Sequence, residues 1–274
     1  MRQRLVPVLA ACCLLVAAAA SPAQEFDHAY AAFDRILKAF VARGGVDYQG
    51  LKEHPQPLRA FLAGMNISEA RYSAFNAAQK LAYWLNFYNA GLMDAVSSEL
   101  PPARKGEGPR SVRDFEGLWT ARKWDTPFGL RNLNSIEFTY LRRLSSPLWM
   151  FGVNRGARGA GAASAEAFTA ADVEAQLLRA ATAWAANAAN LRVDLDKKQI
   201  LASTFLRDHL PDLHDAYYHR GQFMGRTDDE SIVASFYLKH GPVDKPARDM
   251  LLSGKFSLVW MPYDQTLNQT PITG

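Results

Sequence analysis

Residues 76–99 read NAAQKLAYWLNFYNAGLMDAVSSE, and this stretch decides the fold. Its apolar side chains recur at helical spacing. Trp84, Tyr88 and Leu92, with Gly91 beside it, fall on one helix face, while Asn86 and Asn89, three apart, share another. Pro101-Pro102 end the helix firmly, since proline has no N–H to donate and its ring clashes with the preceding turn. Two amides on a mostly apolar helix are costly unless each finds partners. Two readings are open: the pair holds a ligand or orients a catalytic group, or it clamps buried backbone from neighbouring loops.

Outward from this helix, the pattern stays helical. Residues 27–42 place Tyr30, Phe33, Ile36, Leu37, Phe40 and Val41 on one greasy face, and Gly44-Gly45 stop it. Val46-Asp47-Tyr48 reads as a short extended piece. Further helices are expected over 57–64 and 134–143, over 169–188 with Thr169 as cap, as mixed helix over 204–218, and over 227–241 behind the capping box Thr227-Asp228-Asp229-Glu230. Residues 101–130 read as loop with short elements. Leu191, Val193 and Leu195 alternate like a strand, 256–260 reads as another, and the apolar run 148–153 is expected to be extended. Many helices with few scattered strands predict the α+β class: one helix-rich domain over 24–274 with a small, mostly antiparallel sheet.

The chain has 274 residues, 49% hydrophobic and 21% charged, which excludes wholesale disorder and is long enough to bury a core. Its net charge of +4, with no long basic run, gives no sign of nucleic-acid binding. Both cysteines, Cys12 and Cys13, lie in the opening MRQRLVPVLAACCLLVAAAASPA. Arg2 and Arg4, the apolar run from Leu5 to Ala20 and the small residues ending at Ala23 read as a cleaved signal peptide over 1–23. The expected location is the bacterial periplasm or the exterior, with no stable membrane insertion after cleavage. Leu9-Ala10-Ala11-Cys12 has the shape of a lipidation site, but the apolar run continues well past it, which weighs against a lipoprotein. Cleavage removes both cysteines, so the mature chain has no disulfide and no thiolate catalysis.

Four segments in order carry a resemblance. Trp84-Leu85-Asn86-Phe87-Tyr88-Asn89, Leu133-Asn134-Ser135-Ile136-Glu137-Phe138-Thr139-Tyr140-Leu141-Arg142, the short apolar segment Leu201 to Phe205, and Tyr263-Asp264-Gln265-Thr266-Leu267-Asn268 together resemble the domain of unknown function 547 family across about residues 76–268. The resemblance implies a fold more than a reaction. It also marks a departure. Where the family carries a histidine-containing strand and a loop with two cysteines, this chain reads Trp149-Met150-Phe151-Gly152-Val153-Asn154-Arg155-Gly156-Ala157-Arg158-Gly159-Ala160-Gly161. With neither residue type there, it resembles a degenerate member, a pseudoenzyme that keeps a fold and a pocket. Arg155 and Arg158 on this Gly-rich loop are placed to meet an anion together. The alternative is a solvent-exposed loop that has lost its former constraint.

Glu137 and Asp264 are candidates for paired carboxylate chemistry, against the reading that each pairs with an arginine such as Arg142 or Arg113. The spacing of His209, His214 and His219 rotates them off a common helix face, so no metal site is expected. No cofactor motif is present. The expectation is an exported protein binding an unidentified small molecule or peptide, with Asn86, Asn89, Tyr263, Asn268 and Arg155 as ligand contacts. The alternatives are a hydrolase or transferase using Glu137 or Asp264 as acid or base, and a structural or interaction module without pocket chemistry.

Overall fold

The computed structural model describes residues 25–101, 110–144 and 146–270, so the expected signal peptide with Cys12 and Cys13 lies outside the described residues. The chain enters with α1 (Ala31–Phe40), shorter at its start than the periodicity predicts, and passes into the hairpin β1 (Val41–Ala42) and β2 (Gly45–Val46). The turn is Arg43-Gly44, both at positive φ, which is the geometry a two-residue hairpin prefers. Three short helices follow: α2 (Tyr48–Glu53), which takes Tyr48 out of the expected extended piece, α3 (Gln56–Gly64) and α4 (Glu69–Ser73).

The long helix α5 (Ala77–Glu99) is the axis of the molecule. Asn76 caps it in a reciprocal box with Gln79, which satisfies two N–H groups that would otherwise be orphaned. Every residue from Leu81 to Ser97 is buried, as expected of a helix packed on all sides. Trp84 stacks on Tyr140 with ring centroids 4.1 Å apart and donates its indole N–H to Tyr72 Oη. Asp94, near the C-terminal end, is buried among Arg59, Arg122 and the Trp124 indole.

Beyond α5 come the hairpin β3 (Trp124–Thr126) and β4 (Gly129–Arg131), then α6 (Leu133–Thr139), then a 3-10 turn over Leu141–Arg143. Residues Trp149–Phe151 form another 3-10 turn rather than the expected strand. All three side chains are buried, and the backbone closes on itself, with the Phe151 N–H donating to Leu148 O and the Gly152 N–H to Trp149 O. Helix α7 (Val173–Ala186) starts later than expected, and Thr169 instead directs its hydroxyl to Asp172 Oδ2 in the turn before the helix.

The main sheet is small. β5 (Leu191–Asp194) pairs antiparallel with β6 (Gln199–Ser203), a strand whose pattern was legible only as a short apolar segment. Helices α8 (Thr204–Arg207), α9 (Leu210–Tyr217), α10 (Asp228–His240) and α11 (Lys245–Leu252) then carry the chain to β7 (Ser257–Met261), which runs parallel to β6. A parallel neighbour requires a long crossover, and these helices supply it. The α+β class with small, mostly antiparallel sheets is what the fold shows, gathered in a single compact domain. No helix of the described residues is long and apolar enough to cross a membrane.

Candidate functional site

The site is built around one carboxylate. Asn132 caps α6 by accepting from the Ser135 N–H, and Ser135 Oγ accepts from the Asn132 N–H in return. This fixes the first turn, sends Leu133 and Ile136 into the core and leaves Glu137 on the adjoining face, only 4% exposed. The 3-10 turn that follows swings Arg142 back over the helix. Its Nη2 donates to Glu137 Oε1 at 3.2 Å and its Nη1 to Asp212 Oδ2 on α9 at 2.9 Å. The guanidinium lies over the rings of Phe138 and Trp149, at 4.7 and 5.5 Å.

Arg155, from the Gly-rich loop, closes the other side. Its Nη2 is 2.8 Å from Glu137 Oε2 and 3.1 Å from His209 Nε2. His209 Nδ1 lies 2.8 Å from the Phe205 carbonyl, which can only accept, so Nδ1 carries the proton and Nε2 offers its lone pair to Arg155. Burial, reinforced by the Arg155 charge, lowers the His209 pKa to about 3. A protonated His209 would face Arg155 as a second cation.

Above this network opens a cleft of about 580 Å3. Its walls are the rings of Trp119, Phe138, Phe205 and Tyr263, with Arg113 and Asn134 also on the lining. Tyr263 stacks against Phe205, and burial raises its phenol to about 12, so it is protonated near neutrality. In the floor, Arg142 Nε and Arg155 Nε are buried without a hydrogen-bond partner among the described residues. A larger hollow of about 780 Å3 lies between α1 and α3, with apolar walls such as Ile36, Phe40 and Phe61. Its charged residues are exposed or half-buried, so it assembles no buried functional group.

The Gly-rich loop that delivers Arg155 is not the exposed, unconstrained segment that was one expectation. From Gly152 to Gly161 all but Arg155 and Arg158 are buried. The C-terminal segment runs alongside it: the N–H groups of Arg158 and Gly159 donate to the carbonyls of Thr266 and Asp264, and the Asn268 N–H donates to Gly156 O. Gly156 sits at φ +73°, and a Cβ on Gly159 would lie 2.8 Å from Asp264 N. Arg155 and Arg158 do not face one anion together, because Arg155 lines the cleft and Arg158 a different hollow against α7.

The other predicted residues divide sharply. Asn86 donates to Phe168 O and accepts from Phe168 N, and Asn89 donates to Gly152 O and accepts from Asn154 N. Asn268 accepts from Tyr48 Oη and donates to Asn154 Oδ1, which also accepts from Gly156 N. These three asparagines are backbone and loop clamps and do not line the cleft. Asp264 is exposed, accepts from the Thr266 N–H and shares no cleft with Glu137. The structure therefore brings Glu137, Arg155 and Tyr263 together and leaves Asn86, Asn89, Asn268 and Asp264 outside. Sequence reasoning missed His209, Asp212 and the walls Trp119 and Phe205. It considered His209 only as a metal ligand, and no spacing in the sequence ties it to residue 137. Among the described residues no group of three or more histidine, cysteine, aspartate or glutamate side chains is gathered as a metal site would need.

No protein-family description matches the chain, and no curated protein or solved structure is similar to it at a significant level.

Proposed function

We propose that this is an exported binding protein that takes a small molecule or short peptide into the cleft above Glu137 without thiol chemistry. The observation that carries the reading is the state of the groups able to move protons. Glu137 is held by two guanidinium groups, and His209 is a neutral imidazole whose free lone pair already receives Arg155. A general acid or base needs a pKa near the working pH and reach to the substrate. His209 is held far below that range, and Asp264 stands outside the cleft. A rigid charged floor beneath aromatic walls is instead the anatomy of a recognition site. The resemblance to the domain of unknown function 547 family belongs to the same proposal, as does export by residues 1–23: a relative whose central loop serves to hold Arg155.

The test is a thermal-shift screen of cell-envelope metabolites against the protein and its Thr120→Trp variant. Thr120 is exposed on the cleft lining, and the indole would fill the opening. A ligand of the cleft raises the melting temperature of the parent and not of the variant, because binding to the folded state adds stability. Equal shifts in both proteins, or none in the parent, would sink the reading.

A further inference from the structure

We infer that the cleft selects ligands bearing an oxyanion, a carboxylate or a phosphate, on an apolar body, with Arg113 and Tyr263 as the groups that meet it. The inference rests on the cleft being a binding site and adds the chemical class of its ligand.

The argument is a charge inventory of the lining. Arg142 is occupied, since one terminal nitrogen serves Glu137 and the other Asp212. Arg155 uses Nη2 for Glu137 and His209, and its Nη1 has no partner among the described residues. Asp208, the remaining acid on the lining, is exposed and tied to its neighbour Arg207, with two guanidinium nitrogens 3.3 Å from Oδ1. Arg113 is left as a lining cation with no carboxylate partner among the described residues, and its side chain is exposed. Tyr263 adds a protonated phenol with no hydrogen-bond partner among the described residues. The open charged position is thus a cation, Arg113, with Tyr263 Oη and Arg155 Nη1 as donors beside it; Thr120, Asn134 and Gln265 on the lining can donate or accept. Guanidinium groups hold carboxylate and phosphate through paired, charge-assisted hydrogen bonds. The buried, unpartnered Nε atoms of Arg142 and Arg155 repeat the bias towards donors. The rings of Trp119, Phe138, Phe205 and Tyr263 offer an apolar body its surface.

The experiment measures the affinity of 3-phenylpropionate, 3-phenylpropionamide and phenyl phosphate by calorimetry at low and high salt. The proteins are the parent, Arg113→Gln, Tyr263→Phe and Thr120→Trp. The amide keeps the shape of the acid and removes its charge. The acid should bind the parent about tenfold tighter than the amide, a gap of the size one charge-assisted contact gives. Arg113→Gln should close that gap, Tyr263→Phe should narrow it, and added salt should shrink it. Binding of phenyl phosphate with the same dependence on Arg113 extends the ligand to phosphates, and its failure beside a bound carboxylate restricts it to carboxylates. An amide that binds as well as the acid, a gap that survives Arg113→Gln, or no binding of either anion overturns the inference. If acid and amide bind equally and Thr120→Trp abolishes both, the cleft stands as a binding site and only its preference for anions falls.

Discussion

Asn154 and Arg155 are neighbours in the chain, yet they belong to two polar regions of opposite design. On the Asn154 side lies a neutral seam: Asn89, Asn154, Asn268 and Tyr48, joined to one another and to loop backbone. On the Arg155 side lies a charged floor: Glu137, Arg142, Asp212 and His209 under an open cleft. Each amide oxygen of the seam accepts from a peptide N–H, a phenol or another amide, and Asn154 Nδ2, unpartnered among the described residues, is buried outside the cleft, so the seam determines where the loop runs and offers a ligand little. The floor also closes most of its pairs, but the cleft above it keeps Arg113 and Tyr263 Oη without a partner among the described residues. A buried polar cluster alone therefore does not mark a site. What marks one is unused hydrogen-bonding capacity beside accessible space.

Four variants separate seam from floor, and the largest effect belongs to the floor. Glu137→Ala leaves Arg155 and Arg142 facing one another without their shared carboxylate, and should cost about 4 kcal/mol in urea unfolding, the scale of breaking a buried ion pair from one side. A loss below about 1 kcal/mol would show the floor to be solvated. Next, Asn89→Ala strands Gly152 O and Asn154 N away from water and should cost about 3 kcal/mol. The protein that remains folded should bind cleft ligands with unchanged affinity, whereas weakened binding would make the seam part of the site.

The third test is acid. His209 titrates near 6.5 when unfolded and near 3 when folded, so the unfolded chain binds the extra proton between those values. Stability is full above about pH 6.5 and declines as pH falls towards 3, with a loss of about 2 kcal/mol at pH 5 from this residue. His240, lowered to about 4 by burial and further by the Lys239 charge, contributes a decline of the same sign. In His209→Gln the slope of unfolding free energy against pH should flatten between about pH 6 and 4, and an unchanged slope would refute the buried neutral imidazole. The smallest effect on stability belongs to Arg113→Gln, where the unfolding midpoint should not move measurably while anion affinity drops about tenfold.

Much of the frame was legible because it is written locally. The periodicity and terminal prolines around α5, the capping box at Thr227 and the glycines after α1 each act within a few residues, and each element is found near its expected place. The pairing of a carboxylate with an arginine was also legible for Glu137 and Arg142, which are five residues apart. The rest of the site was not. Glu137, Arg155 and His209 come from three separate segments, and no pattern within any one of them announces the others. Asn86 and Asn89 stood out because two amides on an apolar helix demand partners. That demand is met by the backbone of residues 152, 154 and 168, and only the folded chain shows those partners.

The C-terminal segment carries one more consequence, a matter of timing. Residues 264–270 pair with the Gly-rich loop, and through Asn268 and Thr270 with Val46, so they tie the last described turn of the chain to its first hairpin. Contacts across such a span close late, because the cost of joining distant residues precedes any gain from the contact. On a chain made from its N-terminus, the seam around Asn154 stays open until residues 264–270 have been made. Until then Arg155 lacks the loop geometry that aims it at Glu137, so the cleft is completed only once this segment has docked.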